Sequence, residues 1–178
     1  MYLLLAAAAL LAGDAPSVQA YKMLQQHKMA MVSTISREEG DPKPYGSVMA
    51  VSLVDKDCSE TLAGAPYVFI SDLAEHTQNI DVNPNVSIMV FQPDAEGNVF
   101  NGKRVTVSGK MILVEDEAQI AKFRKTYLAD HPDSADFIDF GDFNFYVLAI
   151  ESIYFVGGFG DEAYIGTIEP ENYHKAAE

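Results

Sequence analysis

The chain has 178 residues, 48% hydrophobic and 21% charged, enough apolar material for one globular domain and too much for a disordered tail. Its formal net charge of −14 repels a polyphosphate backbone, and no basic cluster exceeds Lys103-Arg104 or Arg124-Lys125, which excludes nucleic acid as a partner. A single cysteine, Cys58, excludes an internal disulfide and a multi-thiolate metal site, and Asp55, Asp57 and Glu60 around it oppose thiolate formation.

Residues 3–12 are an uncharged apolar run, too short to span a bilayer but suited to the apolar part of a secretory signal, with Val18-Gln19-Ala20 as a small-residue cleavage site. No Lys or Arg precedes the run. Residues 1–20 are therefore read as a signal peptide or as an apolar extension packed on the domain or on a second copy, and residues 21–178 as one barrel domain. Cleavage implies a secreted or periplasmic protein with no stable membrane span afterwards; without cleavage the protein is cytoplasmic.

Ala15-Pro16-Ser17 is a helix entry with proline in the first turn, and Val18, Tyr21, Leu24 and Gln25 share a face of a helix ending near Lys28. Residues 29–36 read as a first strand, 37–44 as a loop and 45–54 as a second strand, the two pairing antiparallel. After a polar loop over 55–64, residues 67–70 form a third strand that runs into a short helix, 73–81. Asn83-Pro84-Asn85 breaks that helix before a fourth strand, 86–92. The fifth strand, 104–114, carries the alternation Val105, Val107, Gly109, Met111 and Leu113. Asp116 caps a helix whose Ile120, Phe123, Tyr127 and Leu128 face the core, and His131-Pro132 ends it. A short helical stretch, 134–140, leads to a sixth strand, 142–156. Six strands in mostly hairpin order with helices between them predict a mainly β (α+β) fold, an antiparallel barrel with helices packed outside.

The junction Ser71-Asp72-Leu73-Ala74-Glu75-His76-Thr77-Gln78-Asn79-Ile80 holds the densest chemistry. A strand entering a helix leaves first-turn N–H groups unpaired; with the macrodipole they favour an anion, and Ser71, His76, Thr77 and Asn79 add donors for a phosphate or carboxylate. Plain capping competes, since Asp72 followed by Glu75 is a capping-box pattern. Gly157-Gly158-Phe159-Gly160 follows a strand but precedes neither a long helix nor Lys-Ser/Thr, so it reads as a chain reversal. No Ser/His/Asp set or His-Glu-x-x-His pattern occurs, and Glu75, Asp139 and Asp142 have no hydrolytic pairing. His27 and His131 read as ordinary surface or capping residues.

Four ordered segments carry a family resemblance: Ala30-Met31-Val32-Ser33-Thr34-Ile35, the junction at 71–80, Asp139-Phe140-Gly141-Asp142-Phe143-Asn144-Phe145-Tyr146, and Phe155-Val156-Gly157-Gly158-Phe159-Gly160. Together they resemble the pyridoxamine-phosphate-oxidase-like split barrels, and within them the CREG-like and HugZ-like (haem-utilisation) branch. The tail Thr167-Ile168-Glu169-Pro170-Glu171-Asn172-Tyr173 resembles the end of CREG-like proteins. Coverage runs over about residues 17–173. The resemblance implies a six-stranded antiparallel split β-barrel with peripheral helices, acting as a homodimer, with flavin mononucleotide (FMN) at the dimer interface in many members.

The FMN expectation assigns Ser71, His76, Thr77 and Asn79 to the phosphate, with Ser47 and Val48 beside it. Flavin-binding members usually add an Arg or Lys on the second strand, whereas Tyr45-Gly46-Ser47-Val48-Met49-Ala50 has none. Each charge-assisted hydrogen bond so lost is worth roughly 1.5–3 kcal/mol. Arg37, Lys43 or Lys103-Arg104 would have to substitute. The HugZ-like branch implies haem instead, with a histidine near the C-terminus on the iron, and His174 is the candidate by position. Two functions follow: a flavin-linked oxidoreductase or haem-degrading oxygenase binding a small planar anionic cofactor, or a non-catalytic exported CREG-like binding or signalling protein. Catalytic residues are unassigned.

Overall fold

A computed structural model of the protein describes residues 14–160 and 163–177. The apolar run expected to be a signal lies outside the described residues, whereas Val18-Gln19-Ala20 lies within helix α1 (Pro16–Gln26), where Ala20 is fully buried. A boundary between residues 20 and 21 thus falls inside a helix that packs Ala20, Met23 and Leu24 into the core.

The strands are β1 (Met29–Ile35), β2 (Pro44–Ala50), β3 (Ser52–Leu53), β4 (Pro66–Ser71), β5 (Asn85–Gln92), β6 (Lys103–Leu113), β7 (Phe143–Val156) and β8 (Ile165–Ile168). Helix α2 (Glu75–Val82) joins β4 to β5, α3 (Glu117–Asp130) follows β6, and α4 (Pro170–Ala176) ends the described chain. All pairings are antiparallel, in the order β2-β1-β5-β6-β7-β4-β3 with β8 on β7.

The sheet must roll because its two edges are consecutive in sequence. β2 is one edge and β3 the other, and only Val51 separates them; one residue reaches no farther than about 3.6 Å. The buried Val51 donates its N–H to the Lys28 carbonyl at 2.9 Å, which pins the crossover. This corrects the single second strand expected over 45–54: it changes partner midway, from β1 to β4.

Period-two alternation sends Ala30, Val32, Ile88, Val90, Val105, Val107, Ile153 and Phe155 into one core, closed by α1 and by Ile80, Ile168 and Tyr173. β4 is buried on both sides, so its other face needs a second layer. Tyr67, Phe69, Phe145 and Val147 meet Phe123 and Tyr127 of α3 there, with Tyr67 stacked on Phe123 at 4.3 Å between centroids. Each such aromatic contributes about 1.5–3 kcal/mol by burial. Asp116 caps α3 as the sequence predicts, accepting the Gln119 N–H at 2.7 Å. Gly109 sits where β6 and β7 shift register, and a Cβ there would collide with the Ala149 carbonyl.

The strand count is eight among the described residues, not six, because β3 and β8 escaped the pattern. The glycine-rich segment is the chain reversal expected, leading from β7 into β8 with Gly158 and Gly160 at φ of 143° and 106°. The stretch expected as helical over 134–140 is a 3-10 turn at Pro132–Asp136.

Candidate functional site

The α2 junction brings Ser71, His76, Thr77 and Asn79 into one turn and helix, and its polar groups are largely spent on the fold. Ser71 Oγ donates to Asp142 Oδ2 at 2.5 Å and accepts the Leu73 N–H at 3.1 Å. Asp72 does not cap α2; its Oδ1 accepts from Asn144 Nδ2 at 2.9 Å, and Ala74 is the N-cap. Asn79 is fully buried, donating from Nδ2 to Thr34 Oγ1 at 3.1 Å and accepting the Arg37 N–H at 3.0 Å, which staples α2 to the end of β1. Thr77 is also fully buried, and its Oγ1 has no partner. His76 is half-buried, and burial lowers its pKa, favouring the neutral ring at pH 7. Arg37 reaches this helix with its Nη2 3.4 Å from Glu75 Oε2, while Lys43 pairs with Asp41 at 2.7 Å. Carboxylates of Asp72 and Asp142 at the same turn oppose an anion.

Ser47 and Val48 stand elsewhere, on the sheet. Pairing registers place Val48, Met31, Met89 and Thr106 in one cross-strand row and Gly46, Ser33, Ser87 and Ser108 in the next, all on the face turned away from the barrel core. A water-facing antiparallel sheet is normally polar on that side. Here Val48 is 62% exposed, Met29 54%, Phe91 44% and Met31 40%. A shallow cavity of about 410 Å³ lies over Met31, Ser33, Gly46, Val48, Ser87 and Met89, with Ser47 in its wall. A second, of about 200 Å³, shares Met31, Val48 and Met89 with it and is walled further by His27, Met29 and Phe91. Ser47 also holds a buried Oγ without a partner.

Two further cavities lie apart from this face and a third adjoins it. One of about 570 Å³ is walled by Pro16, Val18, Tyr164 and Ile168 and offers one base, Lys175, and no imidazole. A small polar one surrounds the Lys28–Asp130 ion pair, and the adjoining one shares Ser33 and Ser87 with the 410 Å³ cavity and is walled further by Pro44, Ser108 and Glu151. Ser71, His76, Thr77, Asn79 and His174 line none of the five. His174 lies in α4, where its Nδ1 is 2.8 Å from the Ala63 carbonyl while the buried Tyr173 hydroxyl donates to the Gly64 carbonyl at 2.9 Å. This helix, which the strand-and-turn reading omitted, clamps the 55–65 loop. His131 Nε2 lies 3.2 Å from the Val51 carbonyl, and burial lowers its pKa. Burial, then Asp55, pushes the Cys58 thiol up. Among the described residues there is no cluster of metal-ligating side chains, and no helix is long and apolar enough to cross a membrane.

A rolled antiparallel sheet with helices at its ends and one broad apolar face left open defines a split β-barrel of the pyridoxamine-phosphate-oxidase-like superfamily. The chain belongs to the CREG β-barrel family, whose model, described as "CREG, beta-barrel", matches residues 14–175. It is 35% identical over 148 residues to the chloroplastic haem oxygenase HOZ of Arabidopsis thaliana, which covers 82% of this chain and 42% of that protein. To the haem oxygenase HutZ of Vibrio cholerae it is 36% identical over 55 residues, 30% of this chain and 31% of that one. The matched segments thus span less than half the length of either curated relative. A solved haem-binding protein from Mycobacterium smegmatis superposes with a TM-score of 0.78 at 26% identity, covering 93% of this chain and 62% of that one.

Proposed function

We propose that the protein binds haem as a homodimer, with the macrocycle held between two copies against the open face of β2, β1, β5 and β6. The apolar row Val48, Met31 and half-buried Met89, widened by the exposed Met29 and Phe91, carries this reading. Four adjacent strands span three interstrand spacings, roughly 14 Å, a platform broad enough for a flat macrocycle. Contiguous exposed apolar residues mark a binding face rather than a solvated one, and two copies together would shield both the face and a guest from water. Names of relatives that bind or degrade haem support the choice of guest.

Haem fits these residues better than FMN. Its propionates need a few donors at the rim, and Arg104 stands on β6 directly opposite Phe91, exposed and without an ion pair among the described residues. Hydroxyls of Ser33 and Ser87 border the apolar row. The FMN phosphate would find no base on β2 and would meet Asp72 and Asp142 at the α2 turn. Bound haem would supply the oxygen chemistry, while the chain's own residues orient the ring and exclude water. Oxidative haem degradation is the activity this arrangement serves.

Titrating the purified protein with haemin and, separately, with FMN tests the reading, with the mass in solution followed by light scattering. A saturable Soret change at one haem per fixed number of chains, in a dimer, is expected. Saturable FMN binding with no Soret change contradicts it.

A further inference from the structure

The haem reading rests on a face; it leaves the iron without a ligand. We infer that His27 would ligate the haem iron through Nε2. His27 is the C-cap of α1, and its backbone N–H turns to the Leu24 carbonyl at 3.3 Å, leaving the Met23 carbonyl without that helical partner. The imidazole takes it up, with Nδ1 2.6 Å from Met23 O. A carbonyl only accepts, so the neutral ring carries its proton on Nδ1 and the lone pair on Nε2. That is the tautomer a metal requires, and a backbone carbonyl on Nδ1 is the common outer-shell partner of ligating histidines. One hydrogen bond thus caps a helix and prepares a ligand.

Placement makes the same point independently. His27 is the one imidazole in the walls of the three adjoining cavities on the open face, and it stands in the apolar one among Met29, Met31, Met89 and Phe91, while the carboxylate of Glu151 lies in the cavity beyond Ser33 and Ser87. An apolar wall with a single nitrogen favours coordination by that nitrogen. Arg104, across from Phe91, is then placed for a propionate at the rim. The other three histidines line none of the cavities on this face, and His131 directs Nε2 itself at a carbonyl.

The test loads the full chain with haemin and compares wild type with His27→Ala, His27→Gln and His174→Ala. Gln retains a donor for the Met23 carbonyl without offering an imidazole, which separates ligation from capping. Resonance Raman of the ferrous form should show an iron–imidazole stretch in wild type and His174→Ala, absent from both His27 variants. Affinity for haemin should fall at least about tenfold in the His27 variants, the lower range for loss of an outer-shell partner, and free imidazole should restore the stretch in His27→Ala. Haem that binds all the variants with an unchanged iron–imidazole stretch overturns the assignment of His27 and leaves the haem reading standing. Failure of wild type to bind haemin overturns both.

Discussion

The α2 junction and the open face of the sheet offer opposite kinds of signal. In the junction, Ser71, Asp72 and Asn79 are each engaged within the chain, and Asn79 is out of reach of solvent. On the sheet face, Val48, Met31 and Met29 are apolar and exposed among the described residues. Polar groups near a turn are usually consumed by the turn, because an unpaired buried donor costs about 1–3 kcal/mol and the fold is arranged to avoid it. An apolar side chain left in water has no such internal remedy. Most polar groups of the junction are therefore engaged within the fold, with Thr77 Oγ1 the exception, whereas the apolar groups of the sheet face stand exposed.

The difference can be broken first at the sheet. Met31→Asp places a charge at the centre of the apolar row and should convert the proposed dimer to monomers in light scattering, while thermal stability changes little because the site faces solvent. A dimer that persists would detach assembly from this face. At the junction, Asn79→Ala strands the Thr34 hydroxyl and the Arg37 N–H and should cost roughly 2–3 kcal/mol in urea unfolding, with haemin affinity kept at temperatures where the variant stays folded. Tyr173→Phe removes the buried bond to the Gly64 carbonyl and should cost about 1 kcal/mol, read as a lower urea midpoint with an unchanged slope.

A smaller effect is set by pH. Burial lowers the pKa of both His76 and His131 below the ordinary 6.5, so the unfolded chain takes up protons that the folded chain resists. The two states do not differ in these rings above that value, and stability falls as pH drops through it. Urea midpoints measured from pH 7.5 to 5.5 should decline in wild type and decline less in His131→Phe; identical slopes would remove His131 from the acid response.

Alternation made β1, β5, β6 and β7 legible, since Val105, Val107 and Met111 repeat at the period a half-buried strand requires. β3 was not legible: a two-residue strand that changes sheet edge at Val51 continues the apolar pattern of β2, and only ring closure tells them apart. For α4 a local signal was present in Pro170-Glu171, a proline-led first turn after Glu169, but it lay inside a tail matched as a whole. Ser71 and Asn79 share the junction where the sequence groups them, yet their partners Asp142 and Thr34 lie 71 and 45 residues away in sequence. His27 illustrates the same limit, because a capping histidine becomes a candidate ligand only when β5 brings Met89 and Phe91 beside it.

Haemin titrations of Val48→Asp and Ser71→Ala, run side by side with wild type and followed at the Soret band, separate the two regions most directly. Ser71→Ala should saturate like wild type, and Val48→Asp should show no saturable change. Wild-type binding by Val48→Asp together with lost binding by Ser71→Ala would contradict haem on the sheet face and return the ligand to the α2 turn.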